Sequence, residues 1–199
     1  MSLTIDYYLG VQSPWTYLGH QRFADMAREA GATVRVLPTD FGKVFPVSGG
    51  LPLGQRAPQR QAYRLVDMRR TADHLNIPIN LKPVFFPVNG DAASRLIIVV
   101  NQQDGTDAAM KLCDAVYKAV WLQQRNIADE AVLDALLAER GLNAARLAAA
   151  REPAAQAQYE ANSQAAIEQG VFGAPSYVVD GEIFWGQDRL DFLQRKLQA

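Results

Sequence analysis

Across 199 residues there is one cysteine, Cys113, and there are two histidines, His20 and His74. A lone cysteine closes no internal disulfide, so the chain builds neither a disulfide framework nor a dithiol redox pair, which fits a reducing compartment. His20 and His74 have no neighbours at ligand spacing, which sets a metal site aside. No run of about 18 apolar residues occurs, so no membrane span is expected. The first residues lack the basic region, apolar core and cleavage site of a secretory leader, and a cytoplasmic protein is expected. An excess of either charge is also missing. The 20 Lys and Arg against 21 Asp and Glu give a net charge of −1, so nucleic acid is not expected as a main partner. Neither a Gly-rich phosphate loop nor a repeat of fixed period is present.

Hydrophobic residues are plentiful, at 49%, and a chain of this length can bury a sizeable single core. The most informative stretch lies near the end, at residues 170–189. Val178-Val179 and Ile183-Phe184-Trp185 are β-formers. Asp180-Gly181 between them suits a type I′ hairpin turn, which needs positive φ at both central positions. Pro175 opens the first strand, where its missing N–H costs least, and is a candidate for a cis bond. Gln187-Asp188 predicts the cap of a last helix, Arg189 to Gln198.

From the start, Leu3 to Leu9 predicts a buried strand, broken by Gly10-Val11-Gln12. Ser13 as N-cap and Pro14 at the first helical position start a helix. Trp15, Gly19, Phe23, Met26 and Ala30 share one face of it, and Gly31 ends it. Thr33 to Leu37 then predicts a second, parallel strand. Pro38 to Ala57 contains Pro38, Pro46, Pro52 and Gly49-Gly50, and predicts a long loop of the kind that carries function. Helices are predicted from Pro58 to about His74, from Gly90-Asp91 to about Gln102, and from a Thr106 or Asp107 cap onward. On the last of these Ala109, Leu112, Cys113, Val116 and Val120 share one side, which makes Cys113 a small core residue. Further helices are predicted from Asp129 to Gly141, from Asn143 to about Arg151, and from Pro153 to Gly170. Pattern alone gives mixed α and β.

Three motifs carry a resemblance: Ser13-Pro14-Trp15-Thr16-Tyr17-Leu18, Gly170-Val171-Phe172-Gly173-Ala174-Pro175, and Trp185-Gly186-Gln187-Asp188-Arg189-Leu190. In this order they resemble the 2-hydroxychromene-2-carboxylate isomerases and the related kappa-class glutathione transferases, within the DsbA-like superfamily. The resemblance implies an α/β, thioredoxin-like fold with a large all-helical insertion. Residues 1–40 plus 171–199 would form the thioredoxin-like domain and 41–170 the inserted helical domain. It also implies a glutathione-dependent isomerase in aromatic compound catabolism. Such an enzyme converts 2-hydroxychromene-2-carboxylate-type substrates to trans-o-hydroxybenzylidenepyruvate-type products, with a small aromatic carboxylate as substrate and a homodimer as assembly. A kappa-like transferase and a non-catalytic thiol-binding protein are the alternatives.

Redox-active thioredoxin relatives hold Cys-x-x-Cys at the start of the first helix, whose N-terminus stabilises a thiolate. Ser13-Pro14-Trp15-Thr16 stands there instead, which excludes dithiol exchange at that site. A helix N-terminus still receives a thiolate from outside, and a serine O–H can donate to it. Taken alone, Ser13 is better explained as a helix cap. The resemblance makes it the catalytic residue that positions and activates the thiol of bound glutathione. Ala174 and Pro175 would then pair with the cysteinyl part. Trp185, Gly186, Gln187 and Asp188 would hold the γ-glutamyl end, with backbone N–H groups for its carboxylate and Asp188 for its amine. Asp188 serves equally as an N-cap beside Arg189. Many relatives carry Gly-Asn where this chain has Gly49-Gly50, so that asparagine's contact is missing. Many also carry a lysine near the place of Arg60, which keeps the charge with different geometry. Trp15, Phe45, Phe85 and Phe86 are candidates for an apolar substrate wall. Asn89 is a candidate to orient a carboxylate or hydroxyl, and Arg60 or Lys43 to meet a carboxylate.

Overall fold

The strand expected near the N-terminus is β1, Thr4–Leu9. Ile5, Tyr7, Tyr8 and Leu9 are all buried, because neighbouring strands flank β1 and helices cover it. The computed structural model describes residues 3–198, so positions 1, 2 and 199 of the expected domain ranges lie outside the described residues. β1 pairs in parallel with β2 (Thr33–Pro38) and antiparallel with β3 (Ser176–Val179). β3 pairs antiparallel with β4 (Glu182–Trp185), giving the order β2-β1-β3-β4. This is the thioredoxin-like arrangement that the resemblance implied. Asp180 and Gly181, at φ of 50° and 80°, make the hairpin turn between β3 and β4 with both central residues left-handed, as their types predict.

Helix α1, Pro14–Glu29, connects β1 to β2. Ser13 sits extended at φ −74° and ψ 123°, the usual N-cap geometry. The buried side of α1 is rotated from the expected face. Thr16, Gly19, His20, Phe23 and Ala27 are buried, Trp15 and Met26 are half-buried, and Ala30 is exposed. Gly19, common to both faces, is a point of close approach: a Cβ there would lie 2.7 Å from Gln187 Cβ and 3.3 Å from the Tyr177 hydroxyl.

The predicted loop over 38–57 differs most from what is found. It folds as α2, Phe41–Ser48, and a 3₁₀ turn at Leu53–Gln55. The Asp40 carboxylate caps the start by accepting the Gly42 N–H at 2.8 Å, and Gly49 at φ 76° ends the helix in the left-handed conformation. Val44 is fully buried. Pro46 reads as a breaker, but in a two-turn helix it removes a single hydrogen bond, which cap, stop and anchor together offset.

Helix α3 follows at Pro58–Leu75, close to expectation, then α4 (Asp91–Asp104), α5 (Thr106–Trp121) and α6 (Glu130–Glu139). The helix expected from Asn143 shrinks to α7, Ala145–Ala149, and α8 spans Pro153–Glu168. The last helix, expected from Arg189, is a 3₁₀ turn Gln187–Arg189 leading into α9, Leu190–Gln198. The predicted α5 stripe, Ala109, Leu112, Cys113, Val116 and Val120, is buried throughout. α5 packs on α1 and β2, and α4 packs on β2 and α8. One apolar cluster runs from Ile5 and Tyr177 through Phe23 and Trp121 to Leu136. Each fully buried large side chain of this kind contributes about 1.5–3 kcal/mol. Among the described residues no helix is long and apolar enough to cross a membrane, and no group of three or more potential metal ligands occurs.

Candidate active site

Two chain segments far apart in sequence meet at the N-terminus of α1. The Ser13 hydroxyl accepts the Thr16 N–H at 3.2 Å and donates to the Ala174 carbonyl at 3.3 Å. The Ala174–Pro175 bond is cis. The Pro175 carbonyl accepts the Gly186 N–H at 2.9 Å, and Ser176 Oγ donates to the Gly173 carbonyl at 2.7 Å, so the proline turn is tied to β4 and to itself. The one proton on Ser13 Oγ therefore points across the gap between helix tip and proline turn. The buried hydroxyl of Thr16 has no hydrogen-bond partner among the described residues. Gly173 lacks a side chain because the Trp185 indole covers it: a Cβ there would lie 2.3 Å from Trp185 Nε1. Phe172 meets the same indole edge-on at 4.7 Å between centroids.

A cleft of about 770 Å³ opens at this junction. Ser13, Trp15, Ala174 and Trp185 line one end, and Phe45, Arg60 and Phe86 line it elsewhere. A side-chain clamp holds the connector that carries Phe86. Gln12 Nε2 donates to the Val88 carbonyl at 2.6 Å, and Gln12 Oε1 accepts the Val88 N–H at 2.8 Å. Thus the β1–α1 loop that carries Ser13 also positions the opposing wall.

Not every expected residue reaches the cleft. Ser13, Ala174, Trp185, Trp15, Phe45 and Arg60 line it together, and Pro175 adjoins Ala174. Gly186, Gln187 and Asp188 do not line it. Gln187 turns inward against Gly19 and accepts Arg22 Nη1 at 3.1 Å, because a buried amide needs a partner. The Gly186 N–H is taken by Pro175, and Asp188 is exposed with Arg189 at 3.5 Å. Asn89 is exposed as well, and its carbonyl oxygen accepts the Asp91 N–H at 2.8 Å at the start of α4. Phe85 is exposed and outside the cleft, and Lys43 pairs with Glu160 at 3.7 Å. At Gly50 the ring of Phe45 takes the space: a Cβ there would lie 2.4 Å from it. An aromatic ring, not an amide, faces the cleft at that point.

Sequence reasoning missed two arginines. Arg56, Arg60 and Arg64 all line the cleft, and their spacing of four was the available signal. Arg56 Nε donates to the Leu51 carbonyl at 2.8 Å. The Arg64 guanidinium lies over the Phe86 ring at 5.3 Å and over Trp121 at 5.7 Å. Burial, with some help from Arg56, lowers its pKa to about 10, so it stays charged at neutral pH. Tyr159 also lines the cleft, and burial raises its pKa, with the Asp40 and Asp91 carboxylates adding to the effect, so it remains a neutral phenol. Cys113 is fully buried, and burial pushes its thiol far up, which removes it as a nucleophile.

Comparison with known proteins agrees with this fold. The family model of the DSBA-like thioredoxin domain matches residues 4–198. A 2-hydroxychromene-2-carboxylate isomerase of Sphingobium xenophagum is 31% identical, over 99% of both chains. The chain belongs to the 2-hydroxychromene-2-carboxylate isomerase family. A solved structure of such an isomerase superposes with a TM-score of 0.81 at 27% identity, covering 98% of this chain and 94% of that one. Glutathione S-transferase kappa 1 of Caenorhabditis elegans is 24% identical, over 98% of this chain and 90% of that protein. The solved isomerase thus shares the fold of this chain.

Proposed function

We propose that this protein isomerises 2-hydroxychromene-2-carboxylate-type substrates to the open trans-o-hydroxybenzylidenepyruvate type, with glutathione as cofactor. Membership in the isomerase family supports the reaction, and the name of the kappa-class relative supports the cofactor. The observation that carries the reading is the Ser13 hydroxyl, held at a helix N-terminus and aimed across a gap at the Ala174 carbonyl.

The residues present suit the cysteinyl part of a γ-glutamyl tripeptide, one of its two carboxylates and its amine. The Ser13–Ala174 gap offers a hydroxyl donor, a helix dipole and a backbone edge to the cysteinyl part. Arg60, exposed at the cleft, suits a terminal carboxylate. The amine end has Asp40 or Asp91 on the cleft lining, whereas Asp188 lies off it. The volume of about 770 Å³ lies within the common range for ligand sites, about 300–1,000 Å³. When bound, glutathione supplies a nucleophilic thiol that is regenerated at the end of each turnover. Ser13 lowers the cost of charge on that sulfur by donating its O–H, and the α1 N-terminus adds its partial positive charge. Trp15 and Phe86 form apolar wall for the aromatic ring, and they exclude water from it.

The test is isomerisation of 2-hydroxychromene-2-carboxylate by the full chain with and without glutathione. Turnover that needs glutathione and yields a sulfur-free product is the expected result. Equal turnover without glutathione rejects the cofactor, and a product that keeps the sulfur assigns the protein to transfer instead.

A further inference from the structure

We propose that Arg64 is the acid-selecting residue of the cleft: it holds the carboxylate of the aromatic ligand, while the ring lies against Phe86 and Trp15. The proposal rests on the functional reading above only for the identity of the ring; the anion site itself follows from the geometry.

Most of the chain's half-buried arginines already hold an acid or amide. Arg125 pairs with Glu139 at 2.9 Å, Arg146 pairs with Asp104 at 2.7 Å, and Arg95 donates to Gln156 at 2.8 Å. Arg64 has no hydrogen bond or ion pair among the described residues. It lies one helical turn from Arg60, and Arg56 is close enough to depress its pKa. Like charges four apart on a helix repel. A desolvated guanidinium without an anion is a further cost. The Phe86 and Trp121 rings beside the guanidinium supply cation–π contact but no anion. Charge concentrated in a cleft at a cost to folding is the signature of a ligand site.

Position selects the ligand. The Arg64 guanidinium carbon lies 5.3 Å from the Phe86 ring centre and 5.7 Å from that of Trp121, and its N–H groups, without a protein acceptor among the described residues, suit a planar, two-oxygen acceptor that enters the cleft. Arg60 is exposed, so it meets ligands from solvent, whereas Arg64 is half-buried and meets only what enters. The two positions thereby divide: Arg60 for the tripeptide, Arg64 for the aryl acid. A neutral aromatic of the same shape would leave Arg64 buried and unpaired, and that penalty gives discrimination.

Binding of trans-2-hydroxycinnamate and of its primary amide, read by tryptophan fluorescence of the full chain, tests this. The wild type should bind the acid about 10- to 100-fold more tightly than the amide. In Arg64→Met the ratio should fall to within twofold, through loss of acid binding with amide binding kept. Arg64→Lys should restore part of the ratio, and Arg69→Met, on the same helix but off the cleft, should leave it intact. An unchanged ratio in Arg64→Met overturns the proposal, as does a parallel loss of acid and amide. If the ratio collapses as expected in a protein that turns over no hydroxychromene, the functional reading fails and the anion site stands.

Discussion

Ser13 is at once a helix cap and the donor at the proposed thiol site, and two substitutions separate these roles. In the structure its Oγ accepts the Thr16 N–H at 3.2 Å and donates to the Ala174 carbonyl at 3.3 Å. Replacing a serine cap with glycine costs a few tenths of a kcal/mol, and aspartate caps about as well as serine. Aspartate at a helix start gains a further ~0.3–1 kcal/mol from the dipole. Both variants also lose the hydrogen bond to the Ala174 carbonyl, worth about 0.5–1.5 kcal/mol net, so Ser13→Gly and Ser13→Asp should stay within about 2 kcal/mol of wild type, or about 4–8 °C in melting temperature for a chain of this size. Activity should part from stability. Ser13→Gly loses a hydrogen bond to a charged group, about 1.5–3 kcal/mol, which is about 10- to 150-fold in turnover. Ser13→Asp sets a carboxylate against the thiolate. At about 4 Å and an effective dielectric near 20 the repulsion is about 4 kcal/mol, or about 10³-fold. Thermal melts and glutathione-dependent turnover measure the two sides, and the ultraviolet thiolate band against pH should show the bound thiol titrating higher in both variants. Turnover within threefold of wild type in both, with an unmoved thiol titration, would leave Ser13 as a cap and nothing more.

Two further outcomes follow from packing and burial. Gly19→Ala gains about 1 kcal/mol of helix propensity but drives a Cβ to 2.7 Å from Gln187, and overpacking of that kind costs about 1–3 kcal/mol. Net destabilisation of about 1 kcal/mol in a urea titration is expected, and a stabilised variant would show that the Gln187 turn moves freely. His20 is buried, accepting from the Tyr7 hydroxyl at Nδ1 and donating from Nε2 to the Met110 carbonyl, with Asp114 and Lys118 nearby. Burial lowers its pKa from 6.5. The unfolded chain thus protonates first, so stability is full above about pH 6.5 and falls below it, by up to about 1.4 kcal/mol per pH unit, until the folded-state pKa is passed. His20→Gln should flatten that slope between about pH 6.5 and 5 in denaturant titrations. An equal slope in both proteins rejects the neutral, buried histidine.

Local chemistry made much of the fold readable. Ser13-Pro14 at the start of α1, Asp129 capping α6, Pro153 opening α8 and Asp180-Gly181 in the hairpin each act through their own backbone, and each sits where its type predicts. α2 was hidden because Pro46 speaks against a helix locally, while the burial of Val44 that favours it depends on distant partners. The site was readable in part for the same reason. Ser13 and the Ala174–Pro175 turn announce themselves, whereas the exposed Asn89, the inward Gln187 and the outlying Asp188 have residue types suited to a ligand and positions that do not face one. Arg64 shows the reverse: an ordinary arginine in the sequence becomes notable only because two aromatic rings desolvate it.

By itself, then, the sequence determined the elements with strong caps and turns, the absence of a dithiol, and the two motifs that frame the proposed thiol site. Those depend on neighbours a few residues away. Only the tertiary structure decided which cleft side chains lie together, because Ser13, Arg64 and Trp185 meet through packing between segments 50 to 170 residues apart. Burial and electric field arise from that packing, and no local pattern of residue types encodes them.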